Sequence, residues 1–128
     1  MHQFKLKIYY EDTDAGGVVY YANYLRYMER ARTEFLREHG IDVAEYHGKG
    51  YVFAVVNVDI YYKKPAKLGE TIEIVTEIAE MTNVTIILNQ TVFTNDVLIA
   101  KAKVKLACLN EKGKPQRLPE AFSKLHYS

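Results

Sequence analysis

The sequence predicts an α+β fold: a five-stranded antiparallel sheet wrapped around one long central helix. Three observations predict it. A strong helical period occurs over residues 23–40, and it is the one strong long helix in the pattern. Period-two patterning precedes it once and follows it in four segments. The last two breaks, "MTN" and "TND", are short enough for hairpins. One helix and one sheet bury each other if the sheet curls around the helix. A chain of 128 residues suits a single domain over 1–128 with one core.

Each element follows from its residues. "FKLKIYY" (4–10) alternates apolar and polar and reads as a strand, which the turn chemistry of "EDTDAGG" (11–17) ends. In "NYLRYMERARTEFLREHG" (23–40), Leu25, Met28, Arg32 and Phe35 share a face with Leu36 beside them. Arg26, Glu29, Arg30 and Arg37 take the other face. Asn23 is placed to cap this helix and Gly40, after His39, to stop it. Its length is roughly 16 residues, about 24 Å. In "YVFAVVNVDIYYKK" (51–64), Val52, Ala54, Val56, Val58 and Ile60 fall on one face. "ETIEIVTEIAEM" (70–81) groups Ile72, Ile74 and Ile78 against its glutamates, and "VTIILNQTVFT" (84–94) is rich in β-branched residues. "LIAKAKVKLAC" (98–108) points Leu98, Ala100, Ala102, Val104, Leu106 and Cys108 inward. Its Lys101, Lys103 and Lys105 point outward, most simply as the exposed face of a strand, with an edge guarded against aggregation as the alternative. "NEKGKPQRLPE" (110–120) is a polar exit, so the tail from about 111 is expected to be peripheral and partly disordered.

Composition narrows the class. With 17 basic and 16 acidic residues the net charge is +1, without the basic excess of a nucleic-acid binder. The lone Cys108 cannot staple its own chain, which suits the reducing cytoplasm. The N-terminal residues lack a signal-peptide apolar region, and no apolar run is long enough for a transmembrane segment. A cytoplasmic protein is expected. Of the eleven tyrosines, most are expected to serve packing and a few to line a pocket.

Elimination directs attention to one stretch. The only serines, Ser123 and Ser128, lie in the tail. His2, His39, His47 and His126 have no metal-ligand spacing, and Cys108 reads as a small buried hydrophobe. No phosphate-binding glycine loop occurs. "DTDAGGVVYYAN" (12–23) begins like a calcium loop, but Gly16 occupies the fifth position and Asn23 the twelfth, where a bidentate Glu is needed. No metal is expected. "YEDTDAGG" (10–17) remains, either as a solvated turn or as a hydrolytic apparatus. Apolar "VVYY" (18–21) after Gly16 and Gly17 draws the loop toward the core, where a free carboxylate is costly. Two glycines let backbone approach a ligand, and helix N-terminal N–H groups face developing negative charge.

"YYEDTDAGGVVYYANYLRYMERARTEFL" (9–36) and "YYKKPAKLGE" (61–70) resemble the hotdog-fold acyl-CoA thioesterases of the 4-hydroxybenzoyl-CoA type, especially the small bacterial YbgC-like branch. The resemblance covers roughly residues 4–108. It implies that Asp14, the second acid of the D-x-D pair, acts on the thioester as nucleophile or general base. It implies that a backbone N–H at Tyr21 polarises the carbonyl while Gly16 and Gly17 shape the approach. Tyr10 matches a tyrosine packed by the site. Many YbgC-like members carry histidine where this chain has Tyr21. Asp12 reads as a turn or cap residue, and Asn23 as a cap that also supports the site. Lys64, with Lys63 and Lys67, is a candidate for the coenzyme A phosphates. No cofactor is implied, coenzyme A being part of the substrate. The family also implies a homodimer or homotetramer with sites at subunit interfaces. The competing readings are a non-catalytic acyl-thioester-binding or scaffold protein and a hotdog hydratase or dehydratase.

Overall fold

The computed structural model describes residues 2–125; His126 and Ser128, named above, lie outside the described residues. The strands are β1 (His2–Lys7), β2 (Val52–Tyr62), β3 (Thr71–Met81), β4 (Thr85–Thr94) and β5 (Val97–Leu109). The helices are α1 (Asn23–Glu38) and α2 (Val43–Gly48), with single 3-10 turns at Tyr10–Asp12 and Glu120–Lys124. The strands form one antiparallel sheet in the order β1-β3-β4-β5-β2. Its inner face packs on α1, the expected hotdog arrangement. No helix among the described residues is long and apolar enough to cross a membrane.

α1 turns Tyr24, Tyr27, Met28, Ala31, Arg32, Phe35 and Leu36 inward. These meet a floor that includes Ile72, Ile74, Leu88 and Val92. Each large apolar side chain so buried contributes about 1.5–3 kcal/mol. The buried stripe starts at Tyr24, so Leu25, expected inside, is exposed. Gly40 takes φ +80, letting Gly40 N–H donate to Arg37 O (3.0 Å) and Ile41 N–H to Leu36 O (2.9 Å). This double bond pattern closes the helix where the glycine predicted it.

Two bulges correct the predicted faces. In β2, Val55 pairs with Leu106 and Asn57 with Lys105, leaving Val56 as the extra residue. Phe53 and Val55 therefore share the inner face with Val58 and Ile60, while Val52 and Ala54 turn outward. In β5, Val92 pairs with Ala100 but Phe93 with Leu98. Ile99 turns into the core, and Leu98 takes the outer face. A third correction concerns the lysine row: β5 lies between β4 and β2, so Lys101, Lys103 and Lys105 do not guard an edge.

Helix α2 was not predicted. It is one and a half turns, too short to show a period, but its start is capped: Asp42 Oδ1 accepts from the N–H groups of Ala44 (3.0 Å) and Glu45 (3.3 Å). The exit segment also differs from expectation. Gln116 donates to Gly50 O (3.0 Å) and Leu109 O (2.8 Å), and Phe122 and Leu125 join the core. Burial of these side chains, spaced by polar residues, holds a tail whose composition reads as loop.

Candidate active site

The loop from Ile8 to Ala22 crosses the N-terminal end of α1 and is tied on both sides. On one side, Asn23 donates from Nδ2 to Asp12 O (2.8 Å), and its Oδ1 accepts from Arg26 (2.8 Å). Asn23 is thus the first residue of the helix, with Ala22 at the cap position, and its amide is a strut rather than the cap expected. Both ends of that amide are engaged within the chain. On the other side, the β2–β3 connection lies along the loop. Val19 N–H donates to Ala66 O (2.8 Å), Leu68 N–H to Gly17 O (2.9 Å), and Ala66 N–H to Tyr24 Oη (3.1 Å). The two quoted motif segments, far apart in sequence, meet here.

The two acids of D-x-D have different surroundings. Asp12 is buried. Its Oδ2 accepts from Tyr9 N–H (2.8 Å), and its Oδ1 lies 3.8 Å from the Arg26 guanidinium. This carboxylate shapes the turn. Asp14 is exposed, and its Oδ1 accepts from Gly16 N–H (2.9 Å) and Val18 N–H (3.4 Å). Those bonds orient the carboxylate, and among the described residues no hydrogen bond engages Oδ2. A Cβ on Gly16 would lie 3.3 Å from Asp14 Oδ1, and Gly17 holds φ +78. The loop that presents Asp14 therefore demands glycine at 17, and a side chain at 16 would crowd the Asp14 carboxylate.

At the helix start, no acceptor among the described residues meets the Tyr21 N–H. The Tyr21 carbonyl accepts from Tyr62 Oη (3.2 Å), which fixes the peptide preceding the helix. The rings of Tyr21 and Tyr24 each pack against that of Tyr62, at centroid distances of 6.0 and 5.6 Å. Together with Val19, Lys63, Lys64 and Pro65 they line a cleft of 220 Å³. Burial pushes the Tyr24 and Tyr62 hydroxyls above the ordinary tyrosine range. Lys64 and Lys67 also border an adjoining cleft of 300 Å³ with Glu70 and Thr94.

Of the predicted residues, Asp14, Gly16 and Gly17 lie on one tight loop, and Tyr21 and Lys64 line one cleft. Tyr10 is 82% exposed. Sequence reasoning did not single out Tyr24 and Tyr62 as wall residues. The tyrosine cluster was the available signal, but it does not separate them from Tyr27, which goes into the core. Cys108 is buried with its thiol pushed up by burial, away from this loop chemistry. Among the described residues no three His, Cys, Asp or Glu side chains converge as a metal site needs.

A family model described as the thioesterase-like superfamily matches residues 9–125. The chain belongs to that superfamily. Its curated relatives place it in the YbgC-like branch. It is 37% identical over 124 residues to the acyl-CoA thioester hydrolase YbgC of Escherichia coli O157:H7, covering 95% of this chain and 92% of that one. It is 40% identical over 119 residues to the acyl-CoA thioesterase YbgC of Haemophilus influenzae, covering 91% and 88%. Among solved structures, a probable thioesterase from Bartonella henselae superposes with TM-score 0.87 at 35% identity, over 92% of this chain and 98% of that one. A gentisyl-coenzyme A thioesterase superposes with TM-score 0.90 at 27% identity, over 95% and 99%.

Proposed function

We propose that this chain is an acyl-CoA thioesterase, and that Asp14 and the Tyr21 N–H are its working groups. The observation that carries the reading is the loop geometry: an exposed carboxylate oriented by two backbone N–H groups, on the loop that leads into a helix start whose Tyr21 N–H is unclaimed among the described residues. YbgC relatives named as acyl-CoA thioester hydrolases support it. A thiol pKa near 8.5 makes thiolate a good leaving group, so no strong general acid is required. The reaction needs an attacking or water-activating oxygen and a donor for the developing oxyanion. Asp14 supplies the first and Tyr21 N–H the second. Water adds across the thioester, the C–S bond breaks, and the products are a carboxylic acid and coenzyme A.

The site is open in one chain, which supports a homo-oligomer. Val55 faces the helix side of β2 yet is 48% exposed, and β2 is an edge of the sheet. Pairing β2 with β2 of a second copy covers that face, removes an edge, and encloses the Asp14 loop with residues of both chains. Lys63 and Lys64 at the mouth of the tyrosine-walled cleft suit the coenzyme phosphates. The working compartment is the cytoplasm, the compartment suited to an acyl-CoA substrate and a lone cysteine.

The test is hydrolysis of short-chain, long-chain and aromatic acyl-CoAs, with Asp14→Asn as control. Wild type should release thiol from at least one, and the variant should keep its fold while losing roughly a hundredfold or more in kcat. Undiminished turnover in the variant removes Asp14 from the mechanism. Absence of turnover across the panel, with binding retained, favours a non-catalytic acyl-thioester-binding protein.

A further inference from the structure

The start of α1 is held in an uncommon way. Ala22 stands at the cap position, and no side chain caps the first N–H groups. The first turn closes through short bonds of its own backbone. Asn23 N–H donates to Tyr20 O (2.9 Å), Tyr24 N–H to Tyr21 O (3.2 Å) and Leu25 N–H to Ala22 O (3.3 Å). Helix ends without a capping side chain fray. The direction of the Tyr21 N–H depends on this turn. A trans peptide sets N–H opposite to C=O, so the bond from Asn23 to Tyr20 O turns the Tyr21 N–H away from the helix body. The Tyr21 carbonyl belongs to the next peptide. Fixing the carbonyls on both sides of Tyr21 therefore fixes where its N–H points.

A tie to one of these two carbonyls comes from outside the turn. Tyr62 Oη donates to Tyr21 O at 3.2 Å, from the last residue of β2 and 41 positions along the chain. Among the described residues no other side chain bonds to either carbonyl. The Tyr62 ring packs against the rings of Tyr21 and Tyr24. Tyr24 Oη in turn accepts from Ala66 N–H (3.1 Å). The end of β2 and the connection after it thus grip the helix start at two points. The neighbouring Tyr61 pairs with Lys101 and lines the groove on the outer face of the sheet.

We propose that Tyr62 is a positioning residue for thioester hydrolysis: its hydroxyl ties the Tyr21 carbonyl to the sheet and so holds the Tyr21 N–H in the direction of the substrate carbonyl oxygen. This role rests on the thioesterase reading above, in which the Tyr21 N–H is the oxyanion donor. A donor whose direction is preset needs no reorganisation as negative charge develops, whereas a loose donor must be ordered at that moment. The Tyr62 hydroxyl touches no reacting atom and acts through the backbone of Tyr21. With its hydroxyl gone, the first turn keeps its own short bonds but loses its link to the rigid strand.

Tyr62→Phe tests the proposal, because it keeps the ring and removes the hydroxyl. Steady-state hydrolysis is measured on the acyl-CoA that wild type turns over fastest. The kcat should fall roughly three- to tenfold, the worth of one hydrogen bond. KM should stay within about twofold of wild type, since a donor used in the transition state acts on kcat. Tyr61→Phe removes a hydroxyl one residue away and should match wild type. Hydrogen–deuterium exchange of the peptide spanning residues 20–25 reads the tie without substrate and should be faster in Tyr62→Phe. A thermal melt should show no change, because the hydroxyl lies on a partly exposed ring. Wild-type kcat in Tyr62→Phe, a loss confined to KM, an equal loss in Tyr61→Phe, unchanged exchange, or a melting temperature that falls with the rate overturns the proposal. Those results are read in an active enzyme. A wild type that hydrolyses no acyl-CoA is instead a failure of the thioesterase reading, and the role given to Tyr62 falls with it.

Discussion

Gln90 on β4 accepts a hydrogen bond from the Arg32 guanidinium at 3.0 Å across the core, joining the sheet to α1. The same side chain donates to Met28 O (2.9 Å) and to Thr76 Oγ1 (3.1 Å). Arg32 is buried without an acid within 4 Å among the described residues, and burial pulls its pKa below the ordinary arginine range while Glu29 opposes the shift. Gln90→Leu leaves that charge without an acceptor. The expected loss is about 2–4 kcal/mol in urea denaturation. Adding Arg32→Met to Gln90→Leu should recover a large part of it, because the stranded charge is gone. A double variant less stable than Gln90→Leu alone refutes the buried-charge account.

The two acids of the D-x-D pair should separate in assays. Asp12→Ala removes the acceptor of Tyr9 N–H and the neighbour of Arg26, so stability should fall by about 1–2 kcal/mol. Asp14→Asn touches an exposed side chain and should stay within about 0.5 kcal/mol of wild type. Thermal or chemical melts of both variants, run beside hydrolysis assays, give the contrast. Equal destabilisation by both changes contradicts the division of roles.

That division shows what sequence could and could not reveal. Helix α1 was legible because its period and Gly40 are local signals, and the structure ends it through Gly40. Elimination led to residues 10–17, since the chain offers few other reactive groups, and the family resemblance pointed to Asp14 within them. The bulges at Val56 and Ile99 were not legible, because they are set by hydrogen-bond register with a neighbouring strand. Arg32 was visible on the apolar stripe, but its partner Gln90 is 58 residues away. The strut from Asn23 to Asp12 O spans 11 residues and looks like an ordinary cap until the loop closes on the helix.

Alkaline pH should unfold the protein through its buried tyrosines. Burial raises the Tyr27 hydroxyl well above its ordinary value of 10.0, and the nearby Asp12 carboxylate adds to the effect. Above about pH 10 the unfolded chain releases this proton while the folded chain retains it. The folded state then binds more protons, so stability is full below pH 10 and falls as pH rises beyond it. Tyr27→Phe should flatten the decline between pH 9 and 11 (about one unit either side of the ordinary tyrosine value). At neutral pH it should cost little, because among the described residues the buried hydroxyl lies near Asp12 without a well-formed hydrogen bond. Denaturant titrations at each pH supply the slopes, and parallel slopes in the two proteins count against the idea.

The β4–β5 hairpin offers a stabilising change. Asn95 and Asp96 hold φ +50 and +64, the left-handed pair of a type I′ turn. Asn tolerates this conformation, but Asp96 occupies the position where glycine is preferred. Asp96→Gly should raise stability by about 0.5–1 kcal/mol, visible as a higher melting temperature. No gain, or a loss, means that the aspartate side chain contributes more than its backbone strain costs.

On the proposed function Asp14 has two ways to act, and oxygen-18 labelling tests the covalent one. As a nucleophile, its free Oδ2 forms an anhydride with the acyl group while coenzyme A leaves, and water then attacks. In single-turnover hydrolysis in oxygen-18 water, attack at the aspartyl carbon deposits label in the protein. As a general base, Asp14 takes a proton from water that attacks the thioester directly, and label appears in the acid product alone. On the proposed function the base is the expected role, because the acid is exposed to water. Mass spectrometry of the peptide containing Asp14 should therefore show no incorporation above background. A label in that peptide after one turnover reverses the assignment to covalent catalysis.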